Sequence, residues 1–243
     1  MLKGISPLVA YVMVIMIVVS GITLVLLIGM PTIEKARESL VINEAWENLR
    51  LMSQSIEEVA TEGLGSLRTL SIKVTDGEYK INEKTNCIDF YYSPKNYRLE
   101  PVFLKNENII FIPGKNAIVR EYDLDNDGNQ EIILENEFLR VAIEKKGSKE
   151  APELINTSKL IKLIYFKPSD ASLIPSDTSI FIDDREESSY GYGYSQALDP
   201  GKNSGKAEAI VYLNTTYASY QILYTLYSGA DFLTVKILNV VYK

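Results

Sequence analysis

The sequence predicts an α+β fold: a long N-terminal α-helix, apolar in its first half and amphipathic in its second, followed by an antiparallel β-sandwich head. Three observations lead there. Residues 4–33 carry no charge, with Lys3 before them and Glu34 after. Residues 32–62 space their apolar side chains at three- and four-residue steps. From residue 64 the apolar period shortens to two, and turn dipeptides separate the runs.

The first segment, PLVAYVMVIMIVVSGITLVLLIGM (residues 7–30), is nearly all apolar. As a helix it is roughly 36 Å long, enough to cross a hydrocarbon core of ~30 Å. It is too long for a secretory signal and no small-x-small site closes it, which points to a membrane-inserted segment. Ser6 and Pro7 suit an N-cap and first helical position, and Pro31 predicts a kink or break.

In residues 32–62 the apolar stripe is Ile33, Ala36, Leu40, Ala45, Leu49, Met52, Ile56 and Val59. Thr32 is placed to cap the start, and Gly63 and Gly65 stop the helix. Trp46, the only tryptophan, is expected to pack against the following domain.

Alternating residues mark strands in 68–74 (Leu70, Ile72, Val74), 138–143 (Leu139, Val141, Ile143) and 232–237 (Leu233, Val235, Ile237). Further strands are expected at 88–92, 102–104, 108–112, 117–122, 131–134, 160–166, 179–182, 206–213 and 218–227. Asp76-Gly77, Pro113-Gly114, Asp127-Gly128 and Ser228-Gly229 supply turns between them. Many short strands with no long intervening helix argue for a sandwich over residues 64–243. Tyr190-Gly191-Tyr192-Gly193-Tyr194 is glycine-rich and reads as a loop. Its tyrosines are either a contact surface or half-buried sheet aromatics, and the same choice holds for Tyr217, Tyr220, Tyr224 and Tyr227.

Composition narrows the chemistry. With 32 acidic and 25 basic residues the 243-residue chain carries net charge −7, and no basic block is present to bind nucleic acid. There is no histidine, which excludes Ser-His-Asp and Cys-His catalysis and the usual zinc and haem sites. One cysteine, Cys87, forbids an intrachain disulfide. No phosphate-binding loop or catalytic motif occurs; acidic pairs such as Asp183-Asp184 and Glu186-Glu187 could imitate a glycosidase, and no enzyme activity is expected.

Two motifs remain. In Asp123-Leu124-Asp125-Asn126-Asp127-Gly128-Asn129-Gln130-Glu131, alternating carboxylates followed by glycine can wrap one hard cation. Asp123, Asp125 and Asp127 would give side-chain oxygens, Asn129 its carbonyl, and Glu131 a direct or water-mediated ligand to Ca2+. The loop resembles the DxDxDG calcium loops of EF-hands, but its twelfth position is Leu134 and strands flank it, so it is closer to calcium loops in extracellular β-hairpins. A solvated acidic turn is the alternative. Asn156-Thr157-Ser158 and Asn214-Thr215-Thr216 are N-glycosylation sequons, a minor argument for a head outside the cell, since two such triplets also arise by chance in a chain of this size.

Lys3-Gly4-Ile5-Ser6-Pro7-Leu8-Val9-Ala10, running straight into the apolar helix, resembles the class III signal peptide of archaeal type IV pilins and archaellins. The resemblance covers roughly residues 3–65. It implies a leader of residues 1–4, cut by a prepilin peptidase between Gly4 and Ile5. It implies an apolar membrane and filament-core helix at 5–31 and an amphipathic helix at 32–63. Val9 stands where bacterial pilins carry glutamate, a departure that favours the archaeal branch. The function so implied is that of a homopolymeric cell-surface filament subunit, anchored in the membrane before assembly and built up by an assembly platform and ATPase. The large tyrosine-rich head favours an adhesion pilus over a swimming filament. The alternative is a monomeric, membrane-anchored, calcium-dependent surface protein that binds carbohydrate or another adhesion target.

Overall fold

The computed structural model describes residues 7–94, 104–106, 109–112, 114–176 and 178–243. The expected cleavage site at Gly4 and Ile5, the Ser6 cap and the Pro113 turn residue lie outside the described residues. The chain forms two compact units, Met1–Arg98 and Leu99–Lys243. Residues 64–98, expected in the head, therefore group with the helix.

In the first unit, helix α1 (Pro7–Glu62) runs 56 residues without interruption, about 84 Å at 1.5 Å per residue. Residues 7–37 are exposed throughout except for the half-exposed Gly29. The break expected at Pro31 does not occur. Proline withholds one N–H from the carbonyl a turn earlier, but every other hydrogen bond of so long a helix survives that loss. Thr32 is consequently no cap; it lies mid-helix, where its hydroxyl donates to the Ile28 carbonyl at 2.9 Å.

Burial begins only with Glu38, Val41, Ala45 and Asn48, spaced three, four and three residues apart. This stripe departs from the expected one, because Ile33, Leu40 and Ile56 stay exposed. Past Gly63 (φ +90°) and Gly65 (φ +97°), the chain returns alongside the helix. Arg68 pairs with Glu62 and, at 3.8 Å, with Glu58. The Asn48 amide donates to the Lys73 carbonyl at 2.7 Å. Glu44 accepts from the Thr75 N–H and hydroxyl, both at 2.8 Å.

Residues 68–74, expected as a strand, are thus a strap held by helix side chains; the period of two was real but found no partner strand. Next, β1 (Glu78–Asn82) and β2 (Cys87–Tyr91) form an antiparallel hairpin. The Tyr79 and Phe90 rings pack at 4.7 Å, and Asn48 donates to the Tyr79 hydroxyl at 3.1 Å, tying hairpin to helix.

The second unit opens with a small ladder of β3 (Leu104–Asn106) and β4 (Ile109–Phe111). Two five-stranded antiparallel sheets then make the sandwich. The first contains β5 (Ile118–Tyr122), β6 (Glu131–Glu135), β7 (Leu139–Glu144), β9 (Ile161–Phe166) and β10 (Ala171–Leu173), in the order β10-β9-β7-β6-β5. The second contains β8 (Glu153–Asn156), β11 (Tyr190–Leu198), β12 (Lys206–Asn214), β13 (Ala218–Tyr227) and β14 (Thr234–Tyr242), in the order β14-β13-β12-β11-β8.

Alternate residues of the central strands meet between the sheets. Ile132, Leu134, Val141 and Ile143 come from one side; Ala207, Ala209, Val211, Ile222 and Tyr224 come from the other. Tyr220 and Tyr224 belong to this buried set rather than to a contact surface, and Tyr227 is buried as well.

Two local expectations fail. Residues 179–182 form no strand, only an isolated bridge between Ile182 and Arg185. The tyrosine-glycine run is no loop; it is the start of β11, one strand in from the sheet edge. Gly191 and Gly193 are needed there, since a Cβ on either would run into the carbonyl of Asn214 or Tyr212 on β12. The glycines face inward and the tyrosines outward, so strand alternation is kept with Gly filling the apolar phase.

Candidate functional sites

The acidic loop joins β5 to β6, which pair antiparallel from Ile118↔Glu135 to Tyr122↔Glu131. Asn126 (φ +59°) and Gly128 (φ +89°) turn the chain. Side-chain carboxylates satisfy its backbone: Gly128 N–H donates to Asp123 at 2.9 Å, Asn129 N–H to Asp127 at 2.8 Å, and Leu124 N–H to Glu131 at 2.8 Å. Asp123, Asp125 and Glu131 each bring one carboxylate oxygen within 4.8 Å of the others. Asp127, expected among the ligands, is not in that group. The Asn129 N–H holds the Asp127 carboxyl below its ordinary pKa against a small burial cost, with help from Lys162.

One participant was not foreseen. Lys162, on β9, lays its ammonium 2.6 Å from Glu131, 3.5 Å from Asp127 and 3.8 Å from Asp125. Burial pushes the Lys162 pKa down, but the Glu131 hydrogen bond and charge, with Asp125 and Asp127, raise it above the usual lysine value. Glu131 is only 1% exposed, so a buried carboxylate is neutralised by a lysine 31 residues away in sequence. Asp123 Oδ1 is buried and has no hydrogen-bond partner. An all-oxygen donor set with one unsatisfied buried oxygen fits a hard divalent cation such as Ca2+.

Beside this loop, Leu124, Glu135, Arg140, Leu163, Tyr165 and Lys167 line an open cavity of about 460 Å³ on the outer face of the first sheet. Three cations converge on Glu135: Lys167 at 2.7 Å, Arg140 at 3.1 Å and Arg120 at 3.5 Å. Burial raises the Glu135 pKa, but the hydrogen bonds and charges of Lys167 and Arg140 outweigh it and hold the carboxyl low.

Both sequon asparagines are exposed at strand ends. Asn156 Oδ1 accepts from the Ser158 N–H at 3.0 Å and its hydroxyl at 2.8 Å, and Asn214 Oδ1 accepts from the Ser219 hydroxyl at 2.9 Å. Of the two acidic pairs, Asp183 and Asp184 occupy left-handed backbone (φ +52° and +56°) and Glu186 and Glu187 start a short 3-10 turn. Asp183 accepts from the Tyr217 hydroxyl at 3.0 Å.

No protein-family model matches the chain, and neither the curated proteins nor the solved structures contain a significant match to it.

Proposed function

We propose that the chain is the structural subunit of an archaeal type IV pilus-like filament, a pilin that polymerises through its N-terminal helix and serves adhesion. The observation that carries this reading is the exposure of the uncharged helical half: Leu8, Tyr11, Ile17, Val25, Leu27 and Ile28 are each at least 66% exposed. Such a surface is stable in two settings, a bilayer or a bundle of like helices. The helix is long and apolar enough to cross a membrane. The subunit waits there as an anchor, and its copies then trade lipid for one another along a filament axis. The engaged half, from Glu38 onward, stays with its own strap and hairpin.

On this reading a prepilin peptidase removes the leader after Gly4, leaving Ile5 first. A separate assembly ATPase and platform supply the work of extraction, and the head faces the exterior. Ca2+ bound by Asp123, Asp125 and Glu131 pins the β5–β6 hairpin, a structural role in a head without disulfides. Asn156 and Asn214 carry glycans. The test is N-terminal sequencing of the mature protein together with electron microscopy of the cell surface. Ile5 as first residue and filaments containing this chain are expected. An intact Met1 on a detergent-soluble monomer would overturn the proposal in favour of a membrane-anchored calcium-dependent surface-binding protein, a reading that the acidic loop and the neighbouring cavity also suit.

A further inference from the structure

Strand pairing brings together three sequence features that lie far apart along the chain. Tyr190 stands opposite Asn156, and Tyr192 stands opposite both Leu154 and Asn214. Tyr190 and Tyr192 are two residues apart on one strand and so share a face, the outward one, as the alternation of exposed tyrosine and buried glycine records. Directly opposed residues in an antiparallel pair hold their Cβ atoms about 4.5–5.5 Å apart. Both sequon asparagines therefore border the same tyrosine strip, one on each side of β11. Leu154 is 61% exposed, Tyr190 49% and Tyr192 62%. Farther along the face the Tyr194 and Tyr212 rings stack at 4.5 Å and cover each other.

We propose that this strip is the bed for N-linked glycans on Asn156 and Asn214, with the first sugars of each chain lying across Tyr190 and Tyr192. The inference rests on the glycosylation reading given above and specifies what the sugars do. Attachment joins the asparagine amide nitrogen to the anomeric carbon of a lipid-phosphate-linked sugar. The phosphate leaves with the bonding pair and the amide loses one proton.

A pyranose presents C–H bonds on one face and hydroxyls at its rim. A tyrosine offers the matching pair, an apolar ring and a hydrogen-bonding tip. In both asparagines the side-chain oxygen is already held, by Ser158 and by Ser219, which fixes the amide plane and the direction in which a sugar leaves it. A second copy of the chain could reach the strip only past sugars rooted at its two borders. The covalent neighbours are thus the occupants that this geometry favours.

The experiment compares full-length protein from its native host with the same chain made in a bacterium that lacks N-glycosylation. Glycopeptide mass spectrometry first reads Asn156 and Asn214. Tetranitromethane nitration then reads Tyr190 and Tyr192, with Tyr242, which is 58% exposed on β14 at the far edge of the sheet, as internal control. Nitration of Tyr190 and Tyr192 is expected to be several-fold slower in the glycosylated protein, with Tyr242 unchanged. Asn214→Gln should restore the Tyr192 rate without altering the fold, since Asn214 is exposed. Equal rates in glycosylated and bare protein would overturn this inference alone. Unmodified asparagines in native material would overturn the glycosylation reading and this inference with it. Protection that appears in assembled but unglycosylated protein would assign the strip to a second copy and equally overturn it.

Discussion

Four hydrogen bonds converge on the side chain of Asn136, which is only 2% exposed. Its Nδ2 donates to the carbonyls of Tyr227 and Ala230, and its Oδ1 accepts from the N–H groups of Phe138 and Leu139. One amide thereby closes the β6–β7 turn and stitches the first sheet to the turn after β13 in the second. Asn136→Ala should destabilise the sandwich by about 3 kcal/mol, read as a lower Tm in thermal denaturation; an unchanged Tm would refute the role.

Lys162 makes a second residue-scale prediction. Replacing it by methionine leaves Glu131 buried without its counter-charge, so the metal-free head should melt earlier. Calcium should then bind more tightly and raise the Tm by more than in the parent chain. If titration calorimetry shows no calcium binding to either protein, the loop is a lysine-neutralised turn. The acidic loop itself was legible in the alternating aspartates, but spacing did not settle which carboxylates converge: Asp127 stays out of the group formed by Asp123, Asp125 and Glu131. Lys162 was not legible, because it arrives through the pairing of β7 with β9, which no local pattern encodes.

Titration behaviour belongs to this scale too. Asp127, Glu135 and Glu137 have folded pKa values below the ordinary carboxylate range. A depressed acid adds stability that is fully present above its unfolded pKa of about 4 and is lost as pH falls through the folded value. Lys162 has the opposite sign: its raised pKa adds stability below about pH 10.4, lost as pH rises beyond it. Head stability should therefore be flat between these limits and fall below about pH 4, as denaturant midpoints measured against pH would record. Burial lifts Tyr220 to about 12, so its phenolate absorbance should lag behind that of the exposed tyrosines in an alkaline titration.

Among elements, the long helix and the strands β5, β6, β7, β9, β12 and β13 fall where periodicity places them. Where prediction failed, the reason is a choice that only tertiary partners make. Residues 68–74 alternate like a strand, yet their neighbours are helix side chains, so they form a strap. Residues 190–194 look too rich in glycine for a strand, yet the close approach of the β12 backbone demands glycine at every inward position. A Gly193→Val substitution should disrupt the β11–β12 pairing outright, since the new Cβ would collide with the Tyr212 carbonyl. Loss of the folded head in circular dichroism is the expected result. Normal folding would mean that β11 is displaced far more easily than its central position implies. The short strands β8 and β10 escaped notice because they are edge strands with mostly exposed residues, so burial leaves little pattern in them.

For the whole molecule, the governing contrast is between a head that buries its apolar residues and a helical half that buries none. Gly4→Leu should leave the leader uncut if a prepilin peptidase recognises this junction, as a shift in the mass of the mature protein would show; normal maturation would count against the filament reading. On the filament reading, the net charge of −7 carried by the whole chain disfavours casual association between copies and leaves cohesion to the apolar rods.

The strap has a mechanical consequence. Its bonds to Glu44, Asn48, Glu58 and Glu62 are spread along the rod rather than gathered at one point. A pull along the axis would strain them in shear, all at once, instead of peeling them one after another. Tension on such a protein would meet collective resistance at the elbow where the rod ends, without any covalent clamp.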